Sequence, residues 1–299
     1  MKAIVTGIVQ ATEQDLSKLE SMGLEITLHR DEHIPPENAE QYEAAICSSL
    51  FLYDDISRYT NLKYIQLISA GMDRVPLDYI REHGIELHNA AAVYNVPMAE
   101  FAVCGILQIY KQSAYFRKNQ EQALWKKHRG LIELAGKTVC ILGCGDVGRE
   151  SAKRLKAFDC RVIGINRTVK PVEGFDTVLG LDELKSVMPE ADIFIAAVAL
   201  TPQTRGIVSR DVFDVMKPGA VFVNVARGAL ADEDALTDWL ESGRSGGAVL
   251  DVFENEPLSP DSPLWAMDNV IITPHNSFIG ENDHTRLMNV VLRNLEDRK

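Results

Sequence analysis

Short apolar runs rich in valine and isoleucine alternate with amphipathic segments from Lys137 onward. This alternation is typical of a parallel sheet whose strands are joined by crossover helices. The apolar runs that we expect to be strands are "KTVCIL", "RVIGI", "DIFIAAV", "AVFVNV", "GAVLDV" and "NVIIT". Ser209 and Asp232 stand where helix N-caps are expected, ahead of "RDVFDVM" and "EDALTDWL". This part of the chain is therefore predicted to form one doubly wound α/β domain.

The N-terminal third repeats the same alternation. Its apolar runs are "AIVTGIV", "LEITLH", "AAICSS", "LKYIQLI" and "IELHNA", with a helix expected near residues 12–22. We therefore predict two Rossmann-like doubly wound parallel-sheet domains. The first, flavodoxin-like domain covers residues 1–96 and is completed by a C-terminal helix over 280–299, and the second covers residues 97–279.

The composition excludes several classes of protein. A chain of 299 residues with 46% hydrophobic residues is long enough for two cores, and a net charge of -12 disfavours nucleic acid as a ligand. The longest apolar run, residues 193–200, is too short to cross a bilayer, and the start "MKAIVTGIVQ" resembles a strand rather than a signal peptide. The five irregularly spaced cysteines suit reduced thiols. We expect a soluble cytoplasmic protein without a membrane partner.

The segment "PMAEFAVCGILQIYKQSAYF", residues 97–116, is apolar on nearly all sides. A helix of this kind must be buried. We therefore expect one helix that packs against another domain or against another subunit.

Glycine spacing predicts a dinucleotide site. Gly143, Gly145 and Gly148 in "VCILGCGDVGRE" follow a predicted strand and open a predicted helix. In such a loop the first glycine makes a tight turn, the second lets the backbone approach a pyrophosphate, and the third lets the helix pack closely. A purely structural glycine turn is the alternative.

Polar side chains follow three successive predicted strands of the second domain. Arg227 follows the first, Asp251, Glu254 and Glu256 the second, and His275 the third. Parallel sheets bind ligands at the carboxyl ends of their strands, so these groups are expected to meet at one edge. The guanidinium of Arg227 suits a carboxylate, although a surface salt bridge is the alternative.

The chain holds seven histidines but no metal-binding spacing such as His-x-x-His, so no metal is expected. A lone histidine is more often a core residue than a catalyst. The neighbouring arginine and glutamates instead favour proton transfer by His275.

The sequence resembles the D-2-hydroxyacid dehydrogenases over almost its whole length. The motifs that carry this resemblance are "ISAGMDRVP", "VPMAEFAV", "GKTVCILGCGDVG", "TPQTRGIV", "FVNVARGAL", "LDVFENEP" and "TPH". The resemblance implies that the second domain binds NAD(P) and that the first binds the substrate. It also implies a homodimer, which would cover the apolar segment 97–116.

The resemblance implies a role for each site residue. Arg227 would bind and polarise a 2-oxo acid, Glu256 would orient His275, and His275 would supply the proton while hydride arrives from the nicotinamide. The backbone N–H groups of Ala70 and Gly71 would hold the substrate carboxylate. The substrate site would also include Tyr94, and the loops around Leu50, Phe51 and Tyr94 would set side-chain specificity.

The resemblance also implies a set of cofactor contacts, with Asp251 facing the nicotinamide amide. The residues expected to bind the cofactor are Gly143, Gly145, Asp146, Val147, Gly148, Asn166, Arg167, Thr168, Ala197, Val198, Thr204, Val225, Ala226 and Asp251. Ala199 stands where many relatives carry proline. A rival hypothesis from another class is a corepressor of the same fold that uses the nucleotide as a sensor.

The segment "GINRT" bears on the choice of cofactor. An enzyme that uses NAD commonly has an acidic residue about 20 residues after the glycine loop, where it bonds the adenosine ribose. Asn166 takes that position here and is followed by Arg167 and Thr168, which suit a 2′-phosphate. We predict that NADP(H) is favoured over NAD(H), the alternative being that Asn166 bonds the ribose of NAD while Arg167 lies in solvent.

Overall fold

A computed structural model describes residues 1–298 and divides them into two compact units. The first consists of residues 1–94 and the segment from Gly280 onward, and the second of residues 95–279. Each unit is an α/β structure built around its own parallel sheet. Each helix in residues 1–298 is too short or too polar to span a bilayer.

The first unit contains a five-stranded sheet in the order β2-β1-β3-β4-β5. Its strands are β1 (Lys2–Thr6), β2 (Glu25–His29), β3 (Ala44–Cys47), β4 (Tyr64–Leu67) and β5 (Glu86–His88). Its α-helices are α1 (Glu13–Ser21), α2 (Leu50–Tyr53), α3 (Leu77–Glu82) and a C-terminal helix (Asp283–Glu296). Short 3-10 helices lie at Gly7–Val9, Ala39–Gln41 and Ile56–Arg58. All five strands coincide with the predicted apolar runs.

The C-terminal helix packs on the sheet of the first unit. It buries Leu287, Met288 and Val291 in the same core as Val5 of β1. The side-chain amide of Asn294 donates a hydrogen bond of 2.8 Å to Gln66 Oε1 in β4. The two ends of the chain therefore form one folded unit.

The second unit contains a seven-stranded sheet in the order β12-β11-β10-β9-β6-β7-β8. Its strands are β6 (Thr138–Leu142), β7 (Arg161–Ile165), β8 (Thr177–Leu179), β9 (Ile193–Ala196), β10 (Val221–Asn224), β11 (Gly247–Leu250) and β12 (Val270–Ile272). Its helices are α4 (Asn95–Tyr110), α5 (Ser113–Glu121), α6 (Asp146–Lys156), α7 (Leu184–Val187), α8 (Arg210–Val215) and α9 (Glu233–Glu241). Short 3-10 helices lie at Leu181–Glu183, Gly228–Leu230 and Pro263–Ala266. Six of these strands were predicted, and β8 at the edge of the sheet was missed.

The prediction of one helix over residues 97–116 was wrong. The backbone of Gln112 adopts φ 54°, which ends α4 and turns the chain into α5. The side chain of Gln112 stabilises this break by donating a hydrogen bond of 3.2 Å to Ile109 O. Part of α4 packs on its own sheet, where a Cβ at Gly105 would lie 2.6 Å from the Val249 side chain. One face of α4 is therefore buried against the sheet of its own unit.

Candidate active site

The glycine loop connects β6 to α6. Gly143 adopts φ +103°, and a Cβ there would lie 2.6 Å from Ala197 O. A Cβ at Gly148 would lie 2.0 Å from Gly143 O, so this glycine lets α6 pack on the loop. A Cβ at Gly145 would meet no atom within 4 Å and would instead fill the open space at the start of α6. The loop therefore fits a pyrophosphate, which the positive end of the helix dipole would stabilise.

The end of β7 lies beside this loop. Gly143 N donates a hydrogen bond of 2.8 Å to Ile165 O, which joins the glycine loop to the last residue of β7. Asn166 follows directly, and its side-chain amide donates to Thr168 O at 3.2 Å. Arg167 and Thr168 are exposed. The end of β7 thus presents an amide, a guanidinium and a hydroxyl.

Several predicted cofactor residues have buried side chains. Val225 is 1% exposed and Ala226 is 8% exposed. Thr204 is also buried, and its hydroxyl donates a hydrogen bond of 2.8 Å to Ala199 O within the loop after β9. These side chains shape the loops in which they lie, and their roles towards a cofactor remain predictions.

The loop after β10 carries Arg227. The buried amide of Asn224 holds this loop from both sides, because its Nδ2 donates to Arg227 O at 3.0 Å and its Oδ1 accepts from Ala226 N at 3.1 Å. The Arg227 guanidinium donates a hydrogen bond of 2.8 Å to Ala226 O. Asn224 therefore fixes the backbone from which the guanidinium extends.

Gly228 brings this loop against the loop after β11. A Cβ at Gly228 would lie 1.9 Å from the carbonyl carbon of Phe253 and 2.2 Å from Glu254 N. Any side chain here would therefore push the two loops apart. The glycine was visible in the motif "NVARGAL", but this contact was not predicted.

His275 and Glu256 form a hydrogen-bonded pair. His275 Nδ1 lies 2.9 Å from Glu256 Oε2, and Glu256 Oε1 accepts a hydrogen bond of 3.1 Å from Phe253 N. A carboxylate on Nδ1 favours the tautomer with a proton there, which leaves Nε2 for exchange with a ligand. The histidine side chain is 28% exposed, so a ligand can reach it.

Asp251 has partners other than the expected nicotinamide amide. Its carboxylate is 0% exposed and accepts hydrogen bonds from the Thr273 hydroxyl at 2.6 Å, from Asn276 N at 2.7 Å and from Ser277 N at 3.0 Å. His275 N donates to Asp251 O at 2.8 Å. His275 itself adopts φ 51°, a conformation that non-glycine residues rarely occupy. Asp251 therefore stabilises the turn that orients His275.

Replacing Asp251 with asparagine is expected to lower the free energy of unfolding by about 1–3 kcal/mol, because a buried carboxylate that accepts several hydrogen bonds loses one acceptor. Urea denaturation monitored by circular dichroism measures the loss. Asp261→Asn is the matched control, since Asp261 is exposed. Equal midpoints for both variants and the unmodified protein would contradict this role.

Glu233 is a further acid beside this site. Burial raises the pKa of its carboxyl group, and the charges of Glu254, Asp234 and Glu256 contribute in the same direction. Its carboxylate accepts a hydrogen bond from Glu254 N. It therefore anchors the loop that carries Glu256. In the sequence Glu233 stands only as the first residue of a helix, so no signal pointed to this contact.

The loop after β4 in the first unit contains Ala70 and Gly71. Within residues 1–298 neither backbone N–H group donates a hydrogen bond to another protein atom. The loop is held through its carbonyl groups, because Asn89 Nδ2 donates to Ala70 O at 2.6 Å and Ser69 Oγ donates to Gly71 O at 2.8 Å. Two backbone donors are thus available to an anion.

Tyr94 lies close to the end of β4. Its hydroxyl donates a hydrogen bond of 2.5 Å to Ile68 O. Burial raises the pKa of this phenol to about 12. Tyr94 therefore supports the loop as a neutral phenol, and contact with a substrate remains a prediction.

The structure shows which side chains the loop after β3 exposes. Leu50 and Phe51 point into the core of the first unit, whereas Leu52 is 57% exposed and Tyr53 is 49% exposed. Neighbouring residues on a helix point in different directions, which the sequence alone could not assign.

Comparison with known proteins gives the family. The model of the NAD binding domain of the D-isomer specific 2-hydroxyacid dehydrogenases matches residues 103–277. A glyoxylate/hydroxypyruvate reductase A HPR2 from Arabidopsis thaliana is 33% identical over 246 residues, which cover 81% of this chain and 76% of the relative. The D-3-phosphoglycerate dehydrogenase of Archaeoglobus fulgidus is 31% identical over 92% of this chain, which spans only 53% of that relative.

The similarity extends to a solved structure with a bound cofactor. A D-isomer specific 2-hydroxyacid dehydrogenase from Xanthobacter autotrophicus Py2, in complex with NADPH and MES, is similar with a TM-score of 0.79 and 29% identity. The match covers 99% of this chain and 95% of that one. These comparisons give no support to the corepressor hypothesis. The chain belongs to the D-isomer specific 2-hydroxyacid dehydrogenase family and is an oxidoreductase that uses a nicotinamide dinucleotide.

Proposed function

We propose that the protein reduces a 2-oxo acid to a D-2-hydroxy acid, with His275 as the proton donor. The hydrogen bond of 2.9 Å between His275 Nδ1 and Glu256 Oε2 carries this proposal. A carboxylate on one ring nitrogen fixes the tautomer and the orientation of the ring, which is the arrangement that a general acid needs.

The cofactor, His275 and Arg227 divide the work of this reaction. When bound, the nicotinamide supplies the hydride that goes to C2 of the substrate. His275 Nε2 donates its proton to the carbonyl oxygen, which becomes the hydroxyl group. Arg227 polarises the same carbonyl and binds the carboxylate, because its guanidinium offers two parallel donors. In the reverse direction His275 accepts the proton from the hydroxyl.

Ala70 and Gly71 would hold the carboxylate of the substrate. Their two backbone N–H groups donate to no other protein atom in residues 1–298, and consecutive backbone donors of this kind form anion-binding concavities.

Oxidation of NADPH and NADH, followed by absorbance, tests the proposal directly. The substrates to compare are glyoxylate, hydroxypyruvate, 2-oxoisocaproate and phenylpyruvate, which sample the small, branched and aromatic classes. We expect saturable oxidation with at least one of them. Absence of turnover with every substrate and both cofactors would contradict it.

The end of β7 supports a preference for NADPH over NADH. Asn166 stands in place of the usual acid, and within residues 1–298 no carboxylate oxygen lies within 4.0 Å of the exposed Arg167 guanidinium. A charge-assisted contact with a 2′-phosphate contributes ~1.5–3 kcal/mol, so kcat/KM should favour NADPH by roughly 10- to 100-fold.

Asn166→Asp should shift this preference toward NADH, because a carboxylate repels the 2′-phosphate and accepts hydrogen bonds from the free ribose. Steady-state kinetics of both proteins with both cofactors measures the shift. An unmodified enzyme that prefers NADH would refute this role of Arg167 and leave the reductase function intact.

Exposed apolar side chains of the second unit support a homodimer. Trp125 is fully exposed and Leu124 is 50% exposed. A cavity of about 540 Å³ with walls that include Val103, Leu107 and Phe158 lies on the outer side of α4. Apolar surface of this kind is commonly covered by a partner. Sedimentation at micromolar concentration should give twice the 33.2 kDa of one chain, and a monomeric mass would overturn this proposal.

A further inference from the structure

A guanidinium lies at the carboxyl edge of the first sheet, in the same loop as Ala70 and Gly71. The strands β3 and β4 are adjacent and parallel, with Cys47 opposite Leu67. The loops that follow them therefore start side by side. Arg74 bridges these two loops, because its Nη1 donates hydrogen bonds of 3.0 Å to Ser48 Oγ and 2.9 Å to Ser49 Oγ.

The buried carboxylate of Glu32 fixes the backbone of the two serines that bind Arg74. Glu32 accepts hydrogen bonds of 2.7 Å from Ser48 N and from Ser49 N, and one of 2.6 Å from the Thr6 hydroxyl. Because Glu32 binds the backbone N–H groups, the two serine hydroxyls remain available to Arg74. The side chain of Arg74 is thus held in place by neutral partners.

The charge of Arg74 has no paired carboxylate. Within residues 1–298 no carboxylate oxygen lies within 4.0 Å of its nitrogens, and its Nε and Nη2 donate to no protein atom. Arg58, by contrast, binds both oxygens of Asp54 at 2.6 and 2.7 Å. The edge formed by Nε and Nη2 suits the two parallel hydrogen bonds that a carboxylate accepts.

The guanidinium also lies near the expected substrate residues. The pKa of Tyr94 is raised by burial and by Asp283, and the positive charge of Arg74 opposes that rise. The hydroxyl of Tyr94 bonds to Ile68, which directly precedes the loop of Ala70. Arg74 and Tyr94 therefore both lie at the carboxyl end of β4.

We propose that Arg74 binds a second carboxylate at the far end of the substrate and selects 2-oxo dicarboxylic acids over neutral 2-oxo acids of equal length. This inference rests on the proposed function, in which Ala70 and Gly71 hold the first carboxylate. Arg74 determines specificity and takes no part in proton or hydride transfer.

Substrate pairs of matched length test it. They are oxaloacetate with 2-oxobutyrate and 2-oxoglutarate with 2-oxovalerate, each assayed with the unmodified enzyme, Arg74→Gln and Arg74→Lys. We expect Arg74→Gln to lower the ratio of kcat/KM, dicarboxylate to neutral, by about 10- to 100-fold for at least one pair. Arg74→Lys keeps the charge and should retain part of the preference. Arg81→Gln is the control, because Arg81 is 77% exposed and pairs with Asp78.

An equal loss for both members of each pair would overturn the inference, since it would show that Arg74 only supports the serine loop. Failure of the unmodified enzyme to reduce any substrate would count against the proposed function instead. In that case calorimetric titration with D-malate and D-2-hydroxybutyrate decides the role of Arg74. Tighter binding of D-malate that disappears in Arg74→Gln supports it, and equal binding of the two acids overturns it.

Discussion

Replacing His275 with glutamine is expected to lower kcat by about 10²- to 10⁴-fold, the usual contribution of a positioned general acid. Glutamine keeps a polar group of similar size but cannot transfer a proton. Affinity for NADPH should change little, because the glycine loop lies at the end of other strands. Stopped-flow kinetics of NADPH oxidation and fluorescence titration of NADPH measure the two effects separately.

His83→Gln is the matched control for this experiment. His83 is exposed, and its Nδ1 bonds to Tyr79 O at 2.9 Å in the first unit. Its kcat should equal that of the unmodified enzyme. Near-normal turnover in His275→Gln would show that His275 is not the general acid.

Changing Arg227 to lysine is expected to lower kcat/KM for the 2-oxo acid by roughly 30- to 1000-fold. This corresponds to a loss of ~2–4 kcal/mol in transition-state stabilisation. An ammonium group keeps the charge but cannot form two parallel hydrogen bonds with a carboxylate and a carbonyl. Both KM and kcat should change, because the group acts in binding and in polarisation. Initial-rate measurements over a range of substrate concentrations separate the two.

Arg161→Lys is the corresponding control, since Arg161 is 51% exposed and pairs with Glu190 on the surface. Its kinetics should match those of the unmodified enzyme. If Arg227→Lys behaved in the same way, the guanidinium of Arg227 would have no role in substrate binding.

The strands of the fold were predictable because burial on both faces leaves continuous apolar runs. The run "DIFIAAV" is an example, since Ile193, Phe194 and Ile195 are all fully buried in β9. Strand β8 escaped prediction because it has only three residues and begins with the exposed Thr177. The break at Gln112 escaped prediction because a polar residue in the left-handed conformation leaves no compositional signal.

Motif order places Arg227, Glu256 and His275 after successive strands of the candidate site, and their roles towards a substrate stay predictions. Apart from the pair of Glu256 and His275, the hydrogen bonds of the site were not predictable, because they join residues far apart in the chain, such as Glu233 with Glu254 and Asp251 with Ser277. These contacts depend on loop conformations rather than on periodicity. For the same reason the exposed pair Leu52 and Tyr53 could not be told from the buried pair Leu50 and Phe51.

The stereochemistry of the product tests the central claim most directly. Phenylpyruvate, or whichever prochiral 2-oxo acid is turned over fastest, is reduced with NADPH, and the 2-hydroxy acid is resolved by chiral chromatography. We predict a single enantiomer, because one face of the carbonyl receives hydride while His275 protonates its oxygen, and we predict the D form because the chain belongs to the D-isomer specific family. The L enantiomer, a racemate or no 2-hydroxy acid at all would contradict this account.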